Sequence, residues 1–228
     1  MADYYSDKLS AERLQRCYEL APPRVRQYLE AEIQYVLEKI RPGDAVLELG
    51  CGYGRVLERL VTKTGVLVGI DTSWSSLRLA QSRLTGFSNY RLLAMNAVAL
   101  GFRDAVFDVV LCLQNGISAF KVCRHDLLRE SLRVTRPGGT VLFSSYADRF
   151  WDARLEWFEL QAQHGLIGKI DWAQTHDGVI VCKDGFKATT VEPGEFLALA
   201  SRLGVPANVE QVDGSSVFCE LRPQSAGR

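Results

Sequence analysis

The chain has 228 residues, a length that suits one domain, and 47% of them are hydrophobic, which is enough to build a sizeable core and excludes overall disorder. Lysine plus arginine and aspartate plus glutamate each number 27, so the chain carries no net charge at neutral pH. That balance argues against a nucleic acid as the main partner, because binding a phosphate backbone requires a basic field.

The sequence predicts neither a signal peptide nor a membrane helix. The first five residues are polar and acidic, and no basic stretch followed by an apolar run is present. No apolar run approaches the roughly 18 residues that a membrane helix needs. We therefore expect a cytoplasmic protein without a membrane partner, present as a monomer or a homodimer.

The pattern of apolar residues predicts two N-terminal helices. The first covers residues 10–20, with Ser10 as a candidate N-cap. Pro22-Pro23 ends this helix and begins the next, in which apolar residues recur at helical spacing to about Lys39. A turn at 41–44 then leads into the first strand.

From residue 45 onward, short apolar runs alternate with amphipathic segments. This alternation predicts parallel strands covered by helices on both faces, which is a doubly wound α/β domain. Strands are predicted at 45–49, 66–70, 90–95, 106–113 and 140–143, with helices near 54–63, 74–84 and 126–134.

The last third of the chain departs from this alternation. An aromatic-rich helix is predicted over 150–163, and the Asp177-Gly178 and Asp184-Gly185 turns predict an antiparallel meander over 167–191. A helix over 193–203 and a closing hairpin follow. We predict one domain, 1–228, made of an N-terminal helical cap (1–40), a core (41–146), a second cap (147–192), and a last helix with its hairpin (193–222).

The turn after the first predicted strand is the most informative stretch. Gly50, Gly52 and Gly54 follow an apolar run that contains Glu48. Because glycine lacks a Cβ atom, such a turn lets backbone amides approach a ligand closely. A dinucleotide fingerprint would need glycine or alanine where Arg55 stands, and no P-loop Gly-Lys-Ser/Thr follows.

Four segments together resemble the class I S-adenosylmethionine-dependent methyltransferases. They are the glycine turn at 48–54, the strand end at 69–73, the strand at 107–112 and the turn at 132–139. The resemblance covers about residues 40–146. It implies a doubly wound, mostly parallel seven-stranded sheet with an antiparallel last strand, N-terminal helices and a small antiparallel insertion after strand five. It also implies S-adenosylmethionine as cofactor and S-adenosylhomocysteine as product, without identifying the methyl acceptor.

The resemblance further implies which residues bind the cofactor. Asp71, at the end of the second strand, would accept hydrogen bonds from both ribose hydroxyls, with a solvated loop acid as the alternative. Glu48 would lie beside the ammonium group, and Asn96 near the adenine, where a plain turn role is the alternative. The predicted set is Glu48, Gly50, Cys51, Gly52, Gly54, Asp71, Thr72, Asn96, Ala97 and Gln114.

The segment at 113–120 should run beneath the sulfonium, because open α/β sheets bind ligands beyond the carboxyl ends of their strands. Asn115 in this segment is similar to an asparagine that helps hold substrate in some small-amine N-methyltransferases. An Asn-Gly turn without a ligand role is the alternative. The candidate catalytic residues are Asn115, Tyr18 and Tyr5.

The two predicted caps are expected to contact the substrate. Arg149 or Arg154 would clamp a substrate carboxylate. The alternative is that the arginines are solvated while the aromatic residues pack the insertion against the core. His125, His164 and His176 are predicted to be surface residues rather than bases. The substrate-binding candidates are Asn115, Tyr4, Arg149, Arg154 and Trp172.

No metal site is expected, because the six cysteines form neither a CxxC pair nor a Cys/His spacing typical of zinc. We predict in-line methyl transfer to N, O or S of a small molecule, catalysed mainly by proximity and desolvation. Two alternatives stay open: an RNA- or protein-modifying methyltransferase of this fold, and a non-catalytic binder of S-adenosylmethionine or another nucleotide. A metalloid or thiol acceptor would require several cysteines to converge near the methyl site.

Overall fold

The computed structural model describes Tyr4 and residues 8–223. Two helices, α1 (Ala11–Glu19) and α2 (Pro23–Lys39), precede the first strand. Pro23 is tolerated at the start of α2 because the first amides of a helix have no partner within it. Ser10 stands at the N-cap position of α1, but its side chain makes no capping hydrogen bond.

Nine strands form two sheets among the described residues. They are β1 (Ala45–Leu49), β2 (Val66–Asp71), β3 (Tyr90–Ala94), β4 (Phe107–Cys112), β5 (Thr135–Tyr146), β6 (Ile180–Val181), β7 (Lys187–Ala188), β8 (Ala207–Val212) and β9 (Ser216–Leu221). Seven make the main sheet in the order β3-β2-β1-β4-β5-β9-β8. Strand β9 pairs antiparallel with both β5 and β8, and the other four pairs of neighbouring strands are parallel. This topology confirms the predicted fold.

Helices cover both faces of the main sheet. Successive side chains of each strand point to opposite faces, so neighbouring residues pack against different helices. On one face, Val46 and Leu111 pack in a cluster with α2 and the next two helices. On the other, Leu47 and Val110 pack against later helices. The remaining helices are α3 (Arg55–Leu60), α4 (Trp74–Arg83), α5 (Gly116–Ala119), α6 (Arg124–Val134), α7 (Trp151–Gln163) and α8 (Pro193–Arg202), with a 3-10 turn at Asp148–Phe150.

Strand β5 begins earlier than the sequence predicts. Residues 136–139, predicted as a turn, belong to the strand at a break in register, since Phe107 pairs with Thr135 but Val109 pairs with Thr140. Pro137 lies in this break. Proline cannot donate a hydrogen bond to a ladder, so it is tolerated where the pairing is already interrupted.

A third apolar cluster lies between α1, α2, α7 and the small sheet of β6 and β7. Tyr28, Phe150 and Phe186 are among its fully buried rings. Two isolated antiparallel bridges, Ile170 to Cys182 and His176 to Val179, extend the pairing around the small sheet. This cluster holds both caps against the main sheet. None of the described helices is both long and apolar enough to cross a membrane.

Candidate functional site

A cavity of about 720 Å³ lies beyond the carboxyl ends of β1, β2, β3 and β4. Its volume falls within the roughly 300–1,000 Å³ range of small-molecule sites. The floor comes from the loops that follow these four strands, which is where a doubly wound sheet binds ligands. The opposite wall comes from α1, α5, α7 and Phe186.

The glycine turn forms one side of the floor. Gly50, Gly52 and Gly54 have φ angles of 70°, 51° and 84°, in the left-handed region that favours glycine. A Cβ atom on Gly50 would come within 2.5 Å of the Phe120 ring, and one on Gly54 within 2.9 Å of the Ala80 Cβ. Both conformation and packing therefore require glycine here.

Asp71 connects the end of β2 to the glycine turn. Its Oδ2 accepts from the backbone N–H of Gly52 at 2.9 Å, and its Oδ1 accepts from the backbone N–H of Ser73 at 2.8 Å. These two bonds fix the carboxylate at the cavity edge, where it lines the wall. Ser73 in turn caps α4, because its Oγ accepts from the backbone N–H of Ser76.

The side chains of Glu48, an acid, and Arg55, a base, face the same cavity. Glu48 is buried, and its Oε2 has no hydrogen-bond partner within the described chain. The same holds for Nε and Nη2 of Arg55, whose guanidinium lies over the Tyr18 ring. Buried polar atoms are costly unless paired, so both groups fit a ligand that carries a cation and an anion. The ammonium and carboxylate of an amino acid meet that requirement.

Burial raises the pKa of Glu48 to about 8, against the opposing effect of Arg55. Burial also raises the pKa of Glu32 to about 7. Each carboxyl group binds its proton more tightly in the folded state than in the unfolded state. Its contribution to the stability of the folded state is therefore present at low pH and is lost as the pH rises towards the pKa of the folded state. We expect the free energy of unfolding of the ligand-free protein to fall between pH 5 and pH 8, measured by urea denaturation.

Glu48→Gln should flatten the upper part of that profile, because it removes the group with the higher pKa. Glu38→Gln, a substitution on the exposed side of α2, is the matched control and should leave the profile unchanged. Stability that rises steadily from pH 5 to pH 8 in the wild-type protein would contradict this prediction.

The loop after β4 is held in an unusual conformation. Gln114 and Asn115 have φ angles of 54° and 62°, which residues other than glycine rarely adopt. The backbone N–H of Gln114 donates to Oε2 of Glu32 at 3.1 Å and to Oγ of Ser144 at 2.8 Å. The Gln114 Oε1 accepts from the Tyr18 hydroxyl at 2.8 Å, so this loop is tied to α1.

Nine of the ten residues predicted to bind the cofactor line this cavity, and Gly54 is the exception. Gly54 instead stands at the N-cap of α3 and packs against Ala80 of α4. Asn96 lines the cavity while its Oδ1 accepts from the backbone N–H of Val98 at 3.1 Å, so the turn alternative is also present. The side-chain carbonyl oxygen of Asn96, which is the acceptor that an adenine amino group would need, is thus the atom that makes this turn.

The N-terminal cap closes the cavity by docking on α7 and the segment after it. The Trp157 Nε1–H donates to the Cys17 carbonyl at 2.7 Å. The Arg13 guanidinium donates to the carbonyls of Gly165 and Leu166, both at 2.9 Å. Tyr18 lines the cavity between these contacts.

Two predicted substrate contacts do not line the cavity, because both side chains are used in structural bonds. Asn115 is buried, donates to the Thr189 carbonyl at 2.7 Å and accepts from the Ser145 hydroxyl at 2.9 Å. Arg154 is only 1% exposed, and its Nη1 donates to the Gly178 carbonyl at 2.9 Å. The structure therefore assigns Arg154 to the core under the second cap rather than to the solvent or to a carboxylate clamp.

The other candidates from the caps are also not brought to the cavity. The Tyr4 hydroxyl donates to Asp184, and Arg149 is exposed. Trp172 is 58% exposed, on the outer side of the insertion. Tyr5 lies outside the described residues. Of the predicted catalytic candidates that the structure describes, Tyr18 is therefore the one that reaches the cavity.

The cysteines do not form a cluster at the site. Of all six, Cys17 and Cys51 line the cavity, and burial raises the pKa of both thiols, that of Cys17 to about 12. Cys112 and Cys219 are fully buried in β4 and β9. Within Tyr4 and residues 8–223, no group of His, Cys, Asp and Glu is arranged to hold a metal ion.

Three site residues were missed by the sequence analysis. Arg55 begins a helix, where a charged residue ordinarily faces solvent. Glu32 and Gln161 left a signal, because each polar residue shares a helix face with apolar residues, Glu32 four residues before Val36 and Gln161 four residues after Trp157. Both are buried as that position requires.

Comparison with known proteins shows what part of the chain is similar to. Residues 46–139 match the family model described as a methyltransferase domain. The chain is 32% identical to an arsenite methyltransferase of Aquipseudomonas alcaligenes over 57% of its own length and 41% of that relative, so it spans less than half of that enzyme. It is 28% identical to the O-methyltransferase rstn1 of Aspergillus nomiae over 79% of this chain and 78% of that one.

A solved structure shares the fold over nearly the whole chain. The PH0226 protein of Pyrococcus horikoshii OT3 superposes with a TM-score of 0.66 at 21% identity, covering 98% of this chain and 97% of that one. The matched family model spans the strands that build the cavity floor, from β1 to the beginning of β5. Residues 46–139 are therefore a methyltransferase domain, in agreement with the resemblance to the class I S-adenosylmethionine-dependent methyltransferases, whose cofactor is S-adenosylmethionine.

Proposed function

We propose that this chain transfers a methyl group from S-adenosylmethionine to N, O or S of a small molecule. The observation that carries the proposal is the pair of ionisable side chains with unsatisfied polar atoms, Glu48 and Arg55, beside the glycine turn. Glu48 binds the ammonium and Arg55 the carboxylate of the methionine end. Asp71, fixed at the end of β2, accepts from the ribose hydroxyls.

S-adenosylmethionine, when bound, supplies an electrophilic methyl group on its sulfonium. The chain aligns the acceptor with that group and excludes water from its surroundings. Tyr18 and Gln114, hydrogen bonded to each other, join the N-terminal cap to the floor. Excluding water and aligning the acceptor account for several kcal/mol of rate acceleration without a general base. No histidine is among the residues that line the cavity in the described chain.

The closed form of the cavity favours a small acceptor over RNA or a protein side chain. Both caps cover the site, and Trp157 and Arg13 hold α1 in place. A macromolecule would have to displace α1 to reach the floor. A metalloid acceptor is not supported, since only Cys17 and Cys51 of the six cysteines line the cavity.

The test is a methyl-transfer assay with S-adenosylmethionine carrying a labelled methyl group, run against a panel of metabolites and against bulk RNA and protein. We expect label in one or more small molecules, with formation of S-adenosylhomocysteine. Arg55→Gln should reduce the rate by raising the concentration of cofactor needed. Label found only in RNA or protein would overturn the small-molecule proposal.

A further inference from the structure

We propose that the acceptor is an uncharged aromatic molecule that packs on the rings of α1 and α7 and hydrogen bonds to the side-chain amide of Gln161. This inference rests on the proposed function and deepens it. It concerns the part of the cavity formed by α1, α7 and Phe186, which we call the acceptor wall. The acceptor wall consists of Tyr18, Trp157, Phe158 and Phe186, all of which line the cavity.

Four rings of the acceptor wall form one continuous series. The ring centroids of Tyr18 and Trp157 are 5.6 Å apart, those of Trp157 and Phe158 are 5.8 Å apart, and those of Phe158 and Phe186 are 5.7 Å apart. These separations are those of edge-to-face and tilted aromatic contacts. A planar aromatic ligand would continue this ring packing. A flexible polar ligand would leave the cavity-facing sides of these rings without apolar contacts.

The acceptor wall carries no charge that would pair with a cation. Glu48 and Asp71 are the carboxylates that line the cavity in the described chain, and both belong to the cofactor half. Burial raises the pKa of Tyr146, which also faces the cavity, to about 12, so its hydroxyl stays neutral at physiological pH. A cationic acceptor would therefore be buried without a counter-ion, at a large cost.

Gln161 supplies a directional polar contact in this wall. It is 3% exposed and lines the cavity. Its side chain has no hydrogen-bond partner within the described residues, yet its amide atoms are not sealed from the cavity. Because it stands three and four residues after Phe158 and Trp157, it shares their face of α7. A buried amide with open hydrogen-bonding capacity beside aromatic rings fits a ring substituent such as a hydroxyl.

The experiment measures binding of three probes to the full chain, each with and without saturating S-adenosylhomocysteine, by ligand-observed NMR titration. The probes are p-cresol, toluene and benzylammonium. We expect saturable binding of p-cresol, tightened by S-adenosylhomocysteine, and at least tenfold weaker binding of benzylammonium. Gln161→Leu should weaken p-cresol about tenfold while leaving toluene unchanged, because only p-cresol carries the hydroxyl.

Gln163→Leu, on the exposed side of the same helix, is the matched control and should change none of these affinities. Gln161→Glu should strengthen benzylammonium about tenfold, a gain that a misfolded variant cannot produce. Equal binding of cresol and benzylammonium, or a cresol affinity insensitive to Gln161→Leu, would overturn the inference. If S-adenosylhomocysteine binds and p-cresol does not, this inference alone fails. If S-adenosylhomocysteine itself does not bind, the proposed function fails.

Discussion

Asp71→Ala is expected to weaken the binding of S-adenosylmethionine and of S-adenosylhomocysteine at least tenfold. The substitution removes the proposed ribose acceptor and also the two bonds that hold the carboxyl end of β2 to Gly52 and Ser73. Hydrogen bonds to a charged group contribute about 1.5–3 kcal/mol each, and 1.4 kcal/mol corresponds to a factor of ten in affinity. Titration calorimetry on the purified variant provides the measurement.

Asp104→Ala is a suitable control for the loss of one negative charge. Asp104 pairs with Arg133 at the surface, with a side chain that is 77% exposed, and it does not line the cavity. We expect wild-type affinity for the cofactor in this variant. Equal affinities for the wild-type protein and Asp71→Ala would mean that the ribose lies elsewhere, even if the cofactor binds.

Arg154→Ala is expected to lower the free energy of unfolding by about 3–5 kcal/mol, as seen when a buried, packed and hydrogen-bonded group is truncated. The guanidinium carbon lies 4.4 Å from the centroid of the Tyr146 ring, and it also packs over the Phe158 ring. Truncation would leave a cavity among these rings and remove the donor to the Gly178 carbonyl. Urea denaturation, with the midpoint and its slope reported separately, measures the loss.

The matched control is Arg149→Ala, five residues earlier and exposed, which should stay within about 0.5 kcal/mol of the wild-type protein. The pair of variants separates a packed arginine from a solvated one with the same change in charge. A loss below about 1 kcal/mol in Arg154→Ala would contradict the role of this side chain in the third cluster.

The cofactor half of the site was predictable because local rules determine it. A buried strand that ends in a G-x-G-x-G turn places backbone amides at the sheet edge, and Asp71 follows the adjacent strand. Parallel strands bring their carboxyl ends to one edge of the sheet, and this placement does not depend on the structure of the caps. Glu48, Asp71 and Asn96 therefore meet in one cavity without any knowledge of the caps.

The acceptor half was not predictable in the same way, because it depends on side-chain direction within the caps. Arg154 and Gln161 lie on the same helix and are both buried, yet Arg154 donates to the Gly178 carbonyl while Gln161 lines the cavity. Asn115 follows the correct strand, but its amide bonds to the Thr189 carbonyl. The packing of the insertion against the core determines these orientations. The spacing of apolar residues along the sequence does not predict that packing.

The fold was predictable to the level of strands and their order, with one instructive error at β5. The Arg136-Pro137-Gly138-Gly139 stretch has the composition of a turn, and sequence patterns read it as one. In the structure it is part of the strand, at the point where pairing with β4 changes register. Tertiary pairing on both sides of the break extends the strand through residues that disfavour it locally.

The central claim is that the cavity at the glycine turn binds S-adenosylmethionine through Glu48, Arg55 and Asp71. Titration calorimetry of the full chain with S-adenosylmethionine and with S-adenosylhomocysteine tests it most directly. We expect both to bind at one site per chain, with affinity reduced in Arg55→Gln and in Asp71→Ala. Absence of binding by either molecule, to protein that is folded by its unfolding transition, would contradict it.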